Sequence, residues 1–195
     1  RGAAPFDHDR VEGDFEQQAA IKRLLYPTPD LVRRFQQERR VLARLHHPNV
    51  AQLFDGGLDA GGVPYFVMEY VDGETLRAWT ANAQPALDAR LGVFLQLCEA
   101  VAHAHRHLVV HRDIKPENVL VAADGHARLL DFGIAKLLET DGAAEQTATQ
   151  RRFVSRAYAA PEQLEGGAAT TATDVYQLGV LLFELLTGPR FDNTR

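Results

Sequence analysis

Four side chains within one short stretch could do chemistry together: Asp113, Lys115, Asn118 and Asp131. An acid, an amine and two hard oxygen donors are the equipment for moving a phosphoryl group with magnesium. Their convergence depends on one element. Val119-Leu120-Val121 reads as a strand, Asp124-Gly125 as a turn and Arg128-Leu129-Leu130 as the returning strand. A hairpin brings its two ends together, so Asn118 before it and Asp131 after it are expected to face each other. Asp113 and Lys115 lie a few residues upstream on the same loop. Taken singly, each of these residues reads as an ordinary turn acid or amide; the joint spacing carries the catalytic reading.

Other elements must hold this loop in place. Phe15 to Lys22 reads as a strand, and Thr28-Pro29-Asp30 as a helix start with a capping hydroxyl, a proline at the first position and an acid in the first turn. Leu31, Phe35, Leu42 and Leu45 then form an apolar stripe with Glu38 in its middle, and a carboxylate on a packing face needs a partner. Val50 to Asp55 and Pro64 to Tyr70 read as the next strands. Leu87 to His107 reads as a long amphipathic helix with Leu91, Phe94, Leu95, Cys98, Val101, Ala102 and His105 on one face. A last helix is expected from near Thr173-Asp174 to just before Gly188-Pro189. His46-His47 lacks the residues that would complete a tetrahedral metal set. His103, His105 and His107 alternate and are expected to point in different directions.

The whole-chain properties set limits. With 195 residues, 46% hydrophobic and 24% charged, the chain has material for a core. A net charge of -5 argues against a nucleic-acid partner. The single cysteine, Cys98, excludes an internal disulfide and fits a reducing, cytoplasmic compartment. No signal peptide is evident, and the most apolar run, Val175 to Leu186, is shorter than the roughly 20 residues a membrane helix needs.

The loop His111-Arg112-Asp113-Ile114-Lys115-Pro116-Glu117-Asn118, the triplets Asp131-Phe132-Gly133 and Ala160-Pro161-Glu162, and Ala19-Ala20-Ile21-Lys22 occur in that family's order and together resemble the signature set of a eukaryotic-type Ser/Thr protein kinase, of a bacterial-like kind. The resemblance implies an α+β, bilobal fold. Its small, β-rich N-lobe would occupy residues 1–70, and its mainly helical C-lobe residues 71–195. It implies ATP and Mg2+ as cofactors and a protein serine or threonine as acceptor. Asp113 would accept the substrate hydroxyl proton, Lys115 would neutralise the transferring phosphate, and Asn118 and Asp131 would bind magnesium. Lys22 would hold the inner phosphates and pair with Glu38. Met68 would guard the back of the adenine pocket, backbone groups of Glu69 and Val71 would bond the adenine, and Leu120 would complete the nucleotide site. Asp174 would bond the catalytic-loop backbone or cap its helix, and His111 would pack beneath the loop. Arg112 would pair with a phosphate on the segment from Asp131 to Glu162, with Thr147 or Thr149 as the expected phosphosite and Ser155 facing substrate.

No G-x-G-x-x-G occurs ahead of Lys22, and the chain stops soon after its last predicted helix. The resemblance therefore covers about Gly13 to Pro189 and only the middle of the family's domain. Weak turnover and marginal stability are expected for these 195 residues alone. Two other readings compete: a kinase-like scaffold without activity, and a small-molecule phosphotransferase. The intact Lys22, Asp113, Asn118 and Asp131 argue against the first; Lys115, Ala160-Pro161-Glu162 and the long intervening segment argue against the second.

Overall fold

The computed structural model describes residues 6–12, 18–24, 42–132 and 157–188, with residues 28, 29, 32, 33, 35 and 39 between them. Glu38, Gly133, Thr147, Thr149 and Ser155 lie outside the described residues. Four strands, β1 (Phe6–Glu12), β2 (Gln18–Leu24), β3 (Leu53–Leu58) and β4 (Pro64–Glu69), form an antiparallel sheet in the order β1-β2-β4-β3. The aspartate-bearing β1 lies at an edge, where residues that disfavour a central strand are tolerated. Pro29 is helical and the Thr28 carbonyl accepts from the Val32 N–H (2.9 Å), a helix entry at the expected Thr-Pro step.

The strand expected from Val50 starts later, at Leu53, because the preceding residues are used elsewhere. Leu129 N–H donates to the Asn49 carbonyl (2.8 Å) and Ala51 N–H to the Leu129 carbonyl (3.0 Å). Val50 thereby bridges to a second sheet, made of β5 (Glu74–Thr75), β6 (Val119–Val121) and β7 (Ala127–Leu129) in that order. Gly73 lets the chain enter β5: a Cβ there would sit 2.7 Å from the Val121 carbonyl oxygen.

Beyond β5 the described α-helices are α1 (Leu76–Asn82), α2 (Leu87–Arg106), α3 (Pro161–Leu164) and α4 (Thr171–Thr187). In α2 the period was predicted correctly and the phase was not. Its buried residues are Val93, Leu97, Ala100, Val101 and Ala104, one position N-terminal to most of the predicted stripe, while Leu95 is 60% exposed. Ala100 and Ala104 are fully buried, so the helix packs through its small residues, which bring it close to β7 and α4. Phe94 and Cys98 flank that seam, half-buried against the core.

Helix α4 begins at Thr171, two residues before the expected start, and its cap is Thr170, whose hydroxyl accepts from Ala172 N–H (3.2 Å). Asp174 is therefore not the cap and its carboxylate serves elsewhere. Gly188 ends the helix as expected, its N–H donating to the Glu184 carbonyl (2.8 Å). The core runs through Leu97, Ile114, Val119, Leu129 and Leu181, all essentially without solvent exposure. It lies directly beneath the loop that carries Asp113. No helix among the described residues is long and apolar enough to cross a membrane.

Candidate active site

The hairpin forms as its sequence indicates, with the returning strand one residue earlier, Ala127–Leu129. Val119 pairs with Leu129 and Val121 with Ala127, and Gly125 turns the chain at φ 82°, where a side chain would be strained. Beyond the last pair, Leu130 N–H donates to the Asn118 carbonyl (2.8 Å). That bond holds Asn118 and Asp131 at the same end of the hairpin.

At that end, polar atoms converge on Asp113. Its Oδ2 accepts from Lys115 Nζ (2.7 Å) and from Asn118 Nδ2 (3.0 Å), and Asn118 Nδ2 also donates to the Asp113 carbonyl (2.7 Å). Both Asn118 bonds run through its nitrogen, so the amide oxygen is the atom left to serve as a ligand. Across the site, Lys22 Nζ lies 2.5 Å from Asp131 Oδ2. Lys22 is 5% exposed on β2, and a charge so buried requires an anionic partner. The Asn118 amide oxygen and the Asp131 carboxylate are hard oxygen donors of the kind magnesium takes, so the residues present fit that ion. Among the described residues no three His, Cys, Asp or Glu side chains are grouped to hold a softer metal.

Backbone geometry at the site is unusual. Arg112 has φ 72° and Asp131 φ 56°, both in the left-handed region that non-glycine residues seldom occupy. The residues around them account for this. The fully buried Asp174 accepts from His111 N–H (2.8 Å) and Arg112 N–H (2.7 Å), and its Oδ2 also meets His105 Nε2 (2.7 Å). His111 is fully buried, and burial holds its pKa below the ordinary value of 6.5. The neutral ring donates from Nε2 to the Leu130 carbonyl (2.7 Å) and accepts at Nδ1 from Asp113 N–H (3.2 Å). With both nitrogens bonded to backbone it is a scaffold for the loop, packed 4.8 Å from the Phe132 ring.

The residues expected around the nucleotide lie on β4, on β6 and in the connection between β4 and β5. Met68 and Glu69 end β4, Met68 being 8% exposed. Glu69 N–H donates to the Gln52 carbonyl (2.8 Å), while its carboxylate accepts from Gln52 N–H (3.1 Å) and faces Arg128 Nε (3.4 Å). Val71 follows, half-buried, in the connection to β5, and Leu120 sits mid-β6 opposite Arg128. The expected Lys22–Glu38 pair falls outside the described residues.

Sequence reasoning missed several supports. His103 and His107 are one helical turn apart, so their rings meet (4.4 Å) instead of diverging, and His47 adds a third ring 5.0 Å from His103. Arg77 on α1 bonds Glu117 (2.6 Å) and the Tyr158 hydroxyl (2.8 Å), which donates to Glu184 (2.6 Å). Burial and the Glu184 bond push the Tyr158 phenol well above its ordinary pKa. Gln177, 1% exposed on α4, bonds the catalytic-loop backbone. A glutamine inside the apolar run of that helix was the available signal, because a buried amide must find partners.

The family model described as protein kinase domain matches residues 10–193. The chain is 40% identical over 177 residues to the serine/threonine-protein kinase PrkC of Bacillus subtilis, a match covering 89% of this chain and 27% of that protein. It is 42% identical over 158 residues to the probable serine/threonine-protein kinase PknB of Lactococcus lactis, covering 80% of this chain and 25% of the relative. The chain spans about a quarter of the length of these curated relatives. Among solved structures it is similar to Rad53 1-466 in complex with AMP-PNP, with a TM-score of 0.74 and 25% identity over 99% of this chain and 48% of that one.

Proposed function

The chain belongs to the protein kinase domain family, and from that premise we propose that it transfers the γ-phosphoryl group of ATP to a serine or threonine hydroxyl of a protein. The observation that carries this reading is the convergence of Lys115 and Asn118 on one carboxylate oxygen of Asp113, with Lys22 paired to Asp131 across the hairpin end. Asp113 orients the acceptor hydroxyl and takes its proton as the new O–P bond forms and the bond to the departing diphosphate breaks. Lys115, already 2.7 Å from that carboxylate, is placed to meet the charge on the phosphoryl group in flight. Asn118 through its amide oxygen and Asp131 through its carboxylate would hold magnesium, which when bound neutralises phosphate charge. Lys22 holds the inner phosphates, exchanging part of its pairing with Asp131 for them. Met68, Leu120 and the backbone of Glu69 and Val71 form the adenine side. The relatives' names support a serine or threonine acceptor, and Lys115 suits that choice. The ATP requirement and the free Cys98 favour the cytoplasm.

The test is a phosphorylation assay on the full-length protein that contains this domain, with radiolabelled ATP and phosphoamino-acid analysis. Wild type should label serine or threonine, and Asp113→Asn should lower kcat by about 10²–10⁴-fold with ATP binding retained. ATP binding without any transfer by wild type would favour the scaffold reading instead.

A further inference from the structure

The strained peptide at Arg112, immediately before the catalytic acid, is held at both ends by side chains from outside the loop. Its N–H goes to Asp174 Oδ1 (2.7 Å). Its carbonyl accepts two amide donors, Gln177 Nε2 (3.1 Å) from α4 and Gln163 Nε2 (3.0 Å) from α3. The two glutamines also bond each other, Gln177 Nε2 to Gln163 Oε1 (3.0 Å). On the far side of each amide the partner is a backbone N–H. Ile114 N–H donates to Gln177 Oε1 (2.8 Å), and Ala160 N–H to Gln163 Oε1 (3.1 Å). Those N–H groups can only donate, so both oxygens must face them and both nitrogens must face Arg112. The orientation of the pair is forced, and the peptides on both sides of Asp113 are gripped by it.

We propose that Gln177 and Gln163 are a positioning pair for phosphoryl transfer, fixing Asp113 through the Arg112 carbonyl and the Ile114 N–H. Gln163 makes that geometry conditional on α3 being docked. This rests on the kinase reading above. Gln177 sits on a helix anchored in the core and is fully buried, so its grip is permanent. Gln163 is half-buried and belongs to a four-residue helix, whose other ties among the described residues include Glu162 with Thr173 and the turn at Ala160. Displacing α3 removes one of the two donors from the Arg112 carbonyl and strips Gln177 of a partner. The catalytic acid then loses its alignment while the nucleotide-binding residues Lys22, Met68 and Leu120, on other strands, keep theirs.

The experiment uses the full-length protein and follows kcat, KM for ATP and their pH dependence. Gln177→Glu keeps the acceptor for Ile114 N–H but turns a bare oxygen toward the Arg112 carbonyl and Gln163 Oε1. At neutral pH kcat should fall about 10- to 100-fold, the loss a misplaced catalytic group produces, with KM for ATP within about twofold of wild type. As pH falls and that carboxyl protonates, it regains a donor, so the ratio of variant to wild-type kcat should rise; Asp174, His105 and His111, which surround the same loop, are present in both proteins. Gln177→Met, similar in volume but without donors, should lose kcat at every pH, and amide exchange at Ile114 should accelerate. Gln163→Met, at a less buried position, gives the same kcat-specific loss and carries the test if Gln177→Met fails to fold. Wild-type kcat in Gln177→Glu and Gln163→Met, or a loss confined to KM or to melting temperature, would overturn the proposal. So would a flat variant-to-wild-type ratio across pH. An inactive wild type sinks the kinase reading itself, whereas an active one with indifferent variants sinks only this inference.

Discussion

Asp174 has no solvent exposure and accepts hydrogen bonds from two consecutive backbone N–H groups and from His105. A carboxylate can do this because both oxygens are acceptors; an asparagine of the same shape would point a donor at one of those N–H groups. Asp174→Asn should therefore cost about 1–3 kcal/mol, the penalty for an unsatisfied buried pair. It should also lower kcat while sparing KM for ATP, because the loop it holds carries Asp113 and not the nucleotide residues. Denaturant melts with steady-state kinetics check both; unchanged stability would mean the loop holds itself. The same logic separates His111 from a catalytic role, since both its nitrogens are committed to backbone atoms.

At the level of elements, the turn after Leu45 docks against α2 through three histidine rings, His47, His103 and His107. Burial lowers the pKa of His47, opposed by Glu99 and assisted by Arg106. Burial also lowers that of His103, followed by the charges of His107, His47, Arg106 and His46. Both native values lie below the ordinary 6.5. Between those values and 6.5 the unfolded chain binds more protons than the folded one, so stability rises with pH there. The contribution is fully present above about 6.5 and is lost as pH falls through the native values. Melting temperature should drop as pH falls below about 6.5, and His103→Tyr, which cannot become cationic, should lessen that drop. An identical slope in the variant would place the acid sensitivity elsewhere. The α2 helix also shows how phase escapes a sequence: its period was plain, but alanines that look neutral proved to be fully buried on its packing face.

For the molecule as a whole, one junction between its two sheets among the described residues is a set of polar bonds around Asn49. Beyond the backbone bonds to Leu129, Asn49 Nδ2 donates to the Ala127 carbonyl (2.9 Å) and to Gln96 Oε1 (2.8 Å), with Asn49 only 4% exposed. Gln96 in turn accepts from Ala127 N–H and donates to the Gly125 carbonyl. One side chain thus ties the helix-to-strand turn, α2 and the hairpin together. Asn49→Ala should destabilise by about 1–3 kcal/mol, read as a lower urea midpoint at an unchanged m-value. A midpoint equal to wild type would show that the backbone bonds suffice.

The local pieces were legible because short-range rules create them. The hairpin from Val119 to Leu129, the proline entry after Thr28 and the stop at Gly188 follow from turn chemistry and hydrophobic period. The meeting of Asn118 and Asp131 at one end of that hairpin, beside Asp113 and Lys115, followed from residue types at fixed spacing. What sequence could not supply were partners chosen across long separations. Asp174 meeting Arg112, Gln177 meeting Ile114 and Asn49 meeting Ala127 join residues more than sixty positions apart. Lys22 meeting Asp131 spans more than a hundred. A buried polar group announces that it needs a partner, but only the packed structure decides which one it finds, because that choice depends on how helices and sheets dock and not on any local preference.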